Sequence, residues 1–409
     1  MSLAKTVAPG ERALVAASAS ATALGVLGAL SLSHMLNDMV QSVAPALFPV
    51  FRAEYGLTFF ETGLIAFVFQ GTASLLQPAI GLYTDRRPMP AALPAAMGAT
   101  LLGIVSLALS QGYLALLVSV ALIGVGSAVF HPEASRTARM ASGGRHGFAQ
   151  SLFQLGGNFG QAVGPLLAAF IVVPFGQRSA LSFAVLAVAT MAILWRVSRW
   201  RVANVPLTRP STVARATSVS EAQRRIVRRS LAILVLLVFS KTVYIASLSS
   251  YYTFYLIDTF HASVQQSQVL LFVFLAANAA GTFAGGPIGD RFGRKFVIWF
   301  SILGVLPFTL ALPHLGFVAT VIDTVFIGLI LASAFSAIVV YAQELAPGNV
   351  GAIAGLFFGL SFGLGGVGAA GLGALADATS LRFVYEICSC LPAIGLLTYF
   401  LPDVRGRRL

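Results

Sequence analysis

A short motif that occurs twice in the chain decides the fold: Gly81-Leu-Tyr-Thr-Asp85-Arg86 and, 205 residues later, Gly286-Pro-Ile-Gly-Asp290-Arg291. Each copy ends a long apolar stretch. Glu133 and Glu344 form a second pair at matching places in the two halves of the chain. The repetition indicates an internal duplication. Paired repeats of this kind support alternating access in membrane transporters, where two bundles move about a site near the middle of the bilayer.

The composition predicts a chain that is embedded in a membrane. Of 409 residues, 57% are apolar and 10% are charged, whereas an ordinary soluble domain has about 25% charged residues. Several stretches of about 20 residues contain hardly an ionisable side chain, which is enough for a helix to cross a hydrocarbon core of about 30 Å. Backbone amides must be paired in lipid, so these stretches are predicted to be helical. A conventional soluble enzyme is excluded.

We predict an all-α membrane protein with twelve transmembrane helices in two pseudo-symmetric six-helix bundles. The first bundle covers residues 1–196 and the second residues 230–409. Residues 197–229 form a linker between them, because two prolines and a run of arginines interrupt the apolar pattern there. The predicted helices are 21–50, 59–84, 91–110, 114–137, 147–173, 178–196, 230–257, 264–289, 295–312, 317–343, 350–376 and 382–402.

The positive charge of the chain is explained by topology. The formal net charge is +12, and with the predicted helices all but four of the 26 lysines and arginines fall on one side of the membrane; the exceptions are Arg52, Arg178, Arg382 and Lys241. The positive-inside rule makes that side cytoplasmic, together with both termini and the linker. We therefore expect no nucleic-acid partner. Cys388 and Cys390 lie two residues apart on one helix, where their side chains diverge, and we expect neither a disulfide nor a metal there.

The second copy of the duplicated motif carries a resemblance to a known family. Gly286-x-x-x-Asp290-Arg291-x-Gly293-Arg294-Lys295 resembles the signature loop of the major facilitator superfamily, whereas the first copy ends in Arg87-Pro-Met-Pro90. Further segments resemble the fosmidomycin resistance transporters of bacteria: His34-Met-Leu-Asn37-Asp38, Phe130-His131-Pro132-Glu133, Ala141-Ser-Gly-Gly-Arg145-His146-Gly147, Ser249-Ser-Tyr251-Tyr252-Thr-Phe-Tyr255-Leu and Tyr341-Ala-Gln-Glu344-Leu.

The resemblance implies the fold and the activity. The family fold is two six-helix bundles in the bacterial inner membrane, and family members mostly act as monomers without a cofactor. The implied activity is proton-driven export of fosmidomycin, a phosphonate antibiotic. The expected partners are a small anionic drug, protons and the lipid bilayer. Proton symport for uptake of a sugar or an organic anion is the alternative, since a fold does not fix substrate or direction. A membrane receptor or enzyme is a remote third possibility.

An acidic residue in the first helix is the candidate for proton coupling. An ionised carboxylate at membrane depth costs several kcal/mol unless water or a partner is present. Asp38 lies four residues after His34, so the two side chains share a helical face, and Asn37 and Gln41 widen the polar stripe. Histidine is suited to relay a proton. The alternative is a permanent pairing of Asp38 that only fixes helix packing.

A buried lysine in the seventh helix is the candidate for substrate binding. Lys241 is followed at helical spacing by Tyr244 and Tyr251, and a buried ammonium needs an anionic partner. A phosphonate or carboxylate substrate would supply that partner, with the tyrosine hydroxyls as further donors. The alternative partner is Asp38 itself, in a salt bridge between the first and seventh helices.

Uncharged polar residues at membrane depth extend the predicted binding site. Each side chain either lines the cavity or joins neighbouring helices by a hydrogen bond. We assign His131, which precedes Pro132, a capping or kinking role in its helix. The predicted cavity residues of this kind are Gln70, Gln154, Asn158 and Asn278.

Charged residues at the cytoplasmic helix ends are the candidates for a gate. Ion pairs and charges at helix termini there can hold the cytoplasmic face closed and exchange partners when it opens. The alternative is ordinary surface pairing, worth at most about 1 kcal/mol per pair. The predicted gating residues are Asp85, Arg86, Glu133, Arg136, Asp290, Arg291, Arg294 and Glu344.

Overall fold

A computed structural model of the chain describes residues 22–47, 51, 54–57, 59–167, 171, 173–204 and 221–403. The described residues contain helices and no strand. We number the long helices α1 to α12. Their bounds are α1 Leu24–Gln41, α2 Phe59–Leu75 with Gln77–Arg86, α3 Ala92–Leu109, α4 Tyr113–Met140, α5 His146–Leu167, α6 Ser182–Asn204, α7 Glu221–Phe260, α8 Val264–Phe292, α9 Arg294–Ile302 with Leu306–Ala311, α10 Phe317–Ala332 with Ala334–Leu345, α11 Val350–Ala378, and α12 Leu381–Ser389 with the 3-10 helix Leu391–Phe400.

The twelve-helix prediction is confirmed. Ten spans of the described chain are long and apolar enough to cross a membrane by length and composition. The helices α1 and α5, which border segments outside the described residues, bring the number to twelve. A short helix, Val43–Ala46, follows α1.

Helix boundaries differ most from prediction around the linker. Helix α6 continues to Asn204 and α7 begins at Glu221, so helices occupy both ends of the predicted linker 197–229. The sequence pattern missed this because those helical ends are polar and basic. Residues 205–220 of the predicted linker, and the segments 1–21 and 404–409 that hold the predicted cytoplasmic termini, lie outside the described residues.

Prolines explain three of the four interruptions inside the long helices; the break in α10 lies at Ser333. A proline lacks the N–H that an inner helical position requires. It occupies one of the first two positions of the second segment of α2, of α9 and of α12. Pro132 and Pro287, in contrast, lie inside α4 and α8 without ending them.

The packing repeats between the first six and the last six helices. Helix α1 packs on α5 and α6, as α7 packs on α11 and α12. Helix α4 packs on α2 and α3, as α10 packs on α8 and α9. The contacts between halves follow the same rule, because α2 packs on α11 and α8 packs on α5. This correspondence is the pseudo-symmetry that the duplicated motif predicted.

Glycines set the closest approaches between helices. A Cβ on Gly160 of α5 would lie 2.3 Å from the carbonyl oxygen of Met35 in α1, so a larger residue cannot fit without moving backbone. The glycines of the duplicated motif do the same between halves. A Cβ on Gly81 would lie 2.2 Å from the Gly351 oxygen. One on Gly286 would lie 2.2 Å from the Gly147 oxygen. Small residues at such crossings are the usual means of close helix packing in membranes.

We expect Gly160→Ala to destabilise the protein, because the added methyl group would displace α1 from α5. Overpacking of this kind costs about 1–3 kcal/mol. Thermal unfolding of the purified protein in detergent should begin several degrees lower than in the wild type, because each kcal/mol of lost stability lowers the melting temperature by about 2–4 °C. Gly98→Ala in α3 is the matched control, since nothing lies within 4 Å of the added Cβ. Equal melting of the two variants would contradict the steric argument.

Candidate transport site and gate

A cavity of about 370 Å³ lies between the two halves. Side chains from both halves line it, including three aromatic rings of α10 and α11: Phe335, Phe358 and Phe362. Five residues that the sequence predicted as functional line this cavity: His34, Gln154, Asn158, Lys241 and Asn278. Further polar residues of its wall were not predicted: Gln161, Thr242, Ser249, Thr282 and Ser361.

Lys241 is a buried cation on the cavity wall. It is 7% exposed, and its ammonium lies 5.3 Å from the centre of the Phe335 ring. Among the described residues no carboxylate lies within 4.0 Å of this ammonium. A salt bridge between Lys241 and Asp38, one of the two pairings considered from sequence, is therefore not formed in this structure.

Asp38 lies at the centre of a buried polar cluster. It is 4% exposed. Asn37 Nδ2 donates to its Oδ1 at 3.0 Å, and Gln161 Nε2 donates to its Oδ2 at 2.9 Å. The Nε2 atom of His34 lies 3.5 Å from Oδ2, and the Nε2 atom of His131 lies 3.8 Å from Oδ1. The carboxyl group thus lies between two imidazole rings, one from α1 and one from α4.

The backbone fixes the orientation of both imidazoles. His34 Nδ1 donates to the Phe153 carbonyl oxygen at 2.9 Å, and His131 Nδ1 donates to the Ser127 carbonyl oxygen at 2.9 Å. A carbonyl oxygen only accepts, so each Nδ1 carries a hydrogen. In a neutral ring the Nε2 lone pair then faces the carboxyl group. An ionised Asp38 would present only lone pairs in return, so one added proton lets the carboxyl group pair with one Nε2 and leaves the other Nε2 without a donor.

The same three groups also have donor atoms within 4.8 Å of one another, a spacing that a metal ion could use. Asp38 is the one carboxylate in the group, so a divalent cation would leave a net positive charge in a buried site, at a cost of several kcal/mol. One proton leaves the cluster neutral.

A second cavity, of about 260 Å³, adjoins the Asp38 cluster. Asp38 lines it together with Gln41 and Gln70, two further predicted site residues. Gln161 and Phe362 line both cavities. The Asp38 carboxyl group and the Lys241 ammonium therefore border different cavities. The side chains of Gln161 and Phe362 form part of the wall of both.

Most of the arginines lie at one end of the helix bundle, away from these cavities. We call this end the basic end. There Asp85, at the end of α2, contacts the start of α11. Its Oδ1 accepts from the N–H of Gly351 and its Oδ2 from the N–H of Ala352, both at 2.9 Å. The first N–H groups of a helix have no partner within the helix and carry a partial positive charge, so a carboxylate stabilises them. We call this contact the Asp85 latch.

Asp290 forms the equivalent contact from the other half, which we call the Asp290 latch. Its Oδ1 accepts from the N–H of Gly147 at 3.0 Å and its Oδ2 from the N–H of Phe148 at 2.9 Å, at the start of α5. Both copies of the duplicated motif thus join one half to a helix start in the other. Each motif glycine, one helical turn before its aspartate, permits the approach.

Comparison with known proteins identifies the family. The sequence model described as Major Facilitator Superfamily matches residues 30–370 and, in an overlapping match, residues 249–408. The chain belongs to the major facilitator superfamily. It is accordingly a multi-pass membrane transporter and not an enzyme.

Relatives and solved structures agree with this assignment. The fosmidomycin resistance protein of Escherichia coli (strain K12) is 52% identical over 407 residues, which is 100% of each chain. An uncharacterized MFS-type transporter of Bacillus subtilis (strain 168) is 43% identical over 93% of this chain and 94% of its own. The E. coli fucose:proton symporter superposes with a TM-score of 0.72 at 16% identity, over 94% of this chain and 100% of that chain. A proton:xylose symporter gives 0.71 at 14%, over 95% and 98%. The two structures show the shared fold.

Three residues that we predicted to bind substrate line neither of the two cavities of this transporter. Asn37 is used in the hydrogen bond to Asp38. Tyr244 is buried in the apolar core of the second half, and the Tyr251 hydroxyl donates to the Ala369 carbonyl oxygen at 2.6 Å. The cavity face of α7 follows Lys241, Ile245 and Ser249, at intervals of four residues, whereas the predicted stripe stepped by three to Tyr244.

The predicted gating residues fall into two buried or half-buried networks and two exposed side chains. Arg136 lies 3.2 Å from Asp85 and 3.1 Å from Glu133, which supplies the first latch with a cation from α4. Arg294 lies 2.8 Å from Asp290 and 3.2 Å from Glu344. The two exposed side chains are those of Arg86 and Arg291. The Arg291 guanidinium lies over the Phe292 ring.

Arg201 is a residue of the basic-end network that sequence reasoning missed. We counted it among the arginines of the linker, yet it is 2% exposed and lies 2.7 Å from Glu133. Its neighbour Arg199 is exposed. Nothing in the local sequence distinguishes the two arginines, because burial depends on where the end of α6 meets α4.

We expect Asp290→Asn to open the basic end more often, because the amide can accept only one of the two N–H groups and carries no charge. A hydrogen bond to a charged group contributes about 1.5–3 kcal/mol, so opening should increase by about tenfold or more. A cysteine at the buried position Ala149, in a background with Cys388 and Cys390 replaced by serine, reports opening through its labelling rate with a maleimide.

The control for this experiment is Glu386→Gln, which removes an exposed ion pair with Arg382 outside the latches. It should leave the labelling rate unchanged. An Asp290→Asn protein that is labelled at the control rate would refute the gating role.

Proposed function

We propose that the protein exports fosmidomycin and related small anions across the bacterial inner membrane in exchange for protons. The observation that carries the proposal is the buried Lys241 ammonium, which faces a cavity between the two halves and has no carboxylate partner in the described chain. A phosphonate would supply the missing anion. The name of the relative that is 52% identical over the full length supports fosmidomycin as the drug.

The orientation follows from the charges. The positive-inside rule makes the basic end cytoplasmic, with both termini on that side. The two latches then close the cytoplasmic side. Helix α11 supports an opening toward the other side, because residues 351–359 are mostly buried whereas none of residues 361–376 is buried. The structure is therefore interpreted as a state that is closed to the cytoplasm.

Alternating access converts this geometry into transport. When the latches are closed, Asp38 takes a proton from the periplasmic side and a bound drug leaves. When the latches are broken, the cavity opens to the cytoplasm, the proton leaves Asp38 and a new anion reaches Lys241. The proton gradient drives the cycle because the proton is bound on the acidic side and released on the other. Asp38 and His34 carry the proton, and Lys241, Gln154, Asn158 and Asn278 contact the drug.

Proton symport is the second candidate, and one observation favours it. Asp38 and Lys241 line different cavities, so a proton and an anion can be bound at the same time, as cotransport requires. The two solved neighbours are proton symporters by name. A neutral sugar, however, would leave the Lys241 charge unpaired, so the symport alternative points to an organic anion.

We expect Asp38→Asn to abolish proton-driven export, because an amide cannot take up and release the proton. Cells that express the wild-type protein should retain less labelled fosmidomycin than empty-vector cells, and a protonophore should remove the difference. Cells with Asp38→Asn should retain as much drug as empty-vector cells, at equal protein levels in the membrane. Glu386→Gln is the control and should behave as wild type. Full resistance in Asp38→Asn would refute the coupling role.

Inside-out vesicles separate the two directions of coupling. Their lumen is acidified by respiration, and the cytoplasmic face points outward. Fosmidomycin added outside should make the lumen more alkaline if drug and proton exchange, and more acidic if they move together. A chelator should have no effect; activity that is lost with the chelator and restored by Zn²⁺ would assign the Asp38 cluster to a metal instead of a proton.

We expect Lys241→Ala to weaken fosmidomycin binding by about 10- to 100-fold, since a hydrogen bond to a charged group contributes about 1.5–3 kcal/mol. Equilibrium binding to the purified protein measures the effect. A neutral ester of the phosphonate should lose little. Lys295→Ala, at the basic end, is the control and should bind as wild type. Equal losses for the drug and its ester would show that Lys241 has a structural role only.

A further inference from the structure

His131 lies in the Asp38 cluster although the sequence suggested only a kink or a cap. It is fully buried in α4, directly before Pro132. Its Nδ1 is held by the Ser127 carbonyl oxygen, and its Nε2 has no hydrogen-bond partner within the described chain. That Nε2 atom lies 3.8 Å from Asp38 Oδ1. An orphaned buried nitrogen of this kind costs free energy unless it gains a proton or a donor.

The two histidines are placed alike around the carboxyl group. Their ring centres are 5.1 Å apart, and each Nε2 faces a different oxygen of Asp38. A proton on Asp38 can be donated to either Nε2, and a proton on either ring pairs with the carboxylate. All three arrangements have the same net charge, so the proton can move among them without a change in the charge of the buried cluster.

The surroundings of the two rings differ. His34 stacks on Phe153 of its own half at 4.1 Å. His131 instead contacts two rings of α11, which belongs to the other half: Phe358 at 5.2 Å and Phe362 at 5.1 Å between ring centres. Phe362 also lines both cavities. A movement of α11 away from α4 would therefore uncover His131 and leave the packing of His34 on Phe153 intact.

We propose that His131 shares the transported proton with Asp38 and that Phe358 and Phe362, from the other half, control the access of water to it. This inference rests on the proposed proton coupling. It gives the proton site a direct contact with the moving half. The other titratable groups that face the site are His34 on α1 and, across the larger cavity, Lys241 on α7; the described side chains of α2, α5 and α11 around it are uncharged.

The variant that tests His131 is His131→Gln. The amide nitrogen would replace the Nε2 lone pair with a permanent N–H donor, which stabilises the ionised form of Asp38. The infrared carbonyl stretch of the protonated Asp38 carboxyl, assigned by its absence in Asp38→Asn, reports the protonation state in the full-length purified protein without any transport. Its midpoint should move to lower pH by about one pH unit in His131→Gln.

The outcomes separate this inference from the proposed function. A midpoint equal to that of the wild type would overturn the role of His131 and leave proton coupling standing. A carboxyl band that does not respond to pH in the wild type would overturn both. A mere packing role of His131 predicts lower stability with no change of midpoint, and that result would also overturn the inference.

A second variant tests the cover from the other half and leaves His131 in place. Phe362→Ala should let water reach the cluster. Proteoliposomes with this variant should therefore leak protons without drug about tenfold faster than wild type, which corresponds to a loss of about 1.4 kcal/mol in the free energy of closure. Phe254→Ala, at an exposed phenylalanine, is the matched control and should not leak. A Phe362→Ala protein as tight as the control would overturn the covering role.

Discussion

A carboxylate that accepts from the free N–H groups at the start of a helix is the interaction on which the observed state depends. It occurs twice, and each time it joins the two halves of the transporter. Since lipid offers no hydrogen bonds, a helix start buried between bundles needs such a partner. Glycines one turn before each aspartate let the helices approach closely enough. The cavity with Lys241 exists in its present form because the halves are held together at one end and separated beyond it.

Much of the fold could be predicted from sequence because the bilayer imposes one simple rule on long apolar stretches. The duplicated motif then fixed the correspondence of the halves. The predicted helix boundaries were wrong where a polar stretch of sequence is helical, as at the end of α6. There the helix continues to Asn204, and Arg201 pairs with Glu133, a partner 68 residues away that no local pattern reveals.

The site could be predicted in part. Asp38, His34 and Lys241 stand out because ionisable side chains are rare at membrane depth, and the structure places all three at the cavities or the buried cluster. Gln161 could have been found, since it continues the spacing of Gln154 and Asn158 along one face of α5. His131 could not, because a histidine beside a proline is equally compatible with a kink. Tyr244 was predicted to face the cavity but lies in the apolar core, because a step of three residues from Lys241 leads to a different side of the helix than a step of four.

The latches differ in where their cations come from, and this has a consequence for how the sequence can vary. Arg294 follows Asp290 by four residues, so one short segment contains both the anion and the cation. Arg136 lies 51 residues from Asp85, on a different helix. A change in the Asp290 segment can be repaired within that segment. A change at Arg136 can be compensated only on another helix, because the degenerate copy of the motif takes its cation from α4 and not from its own segment.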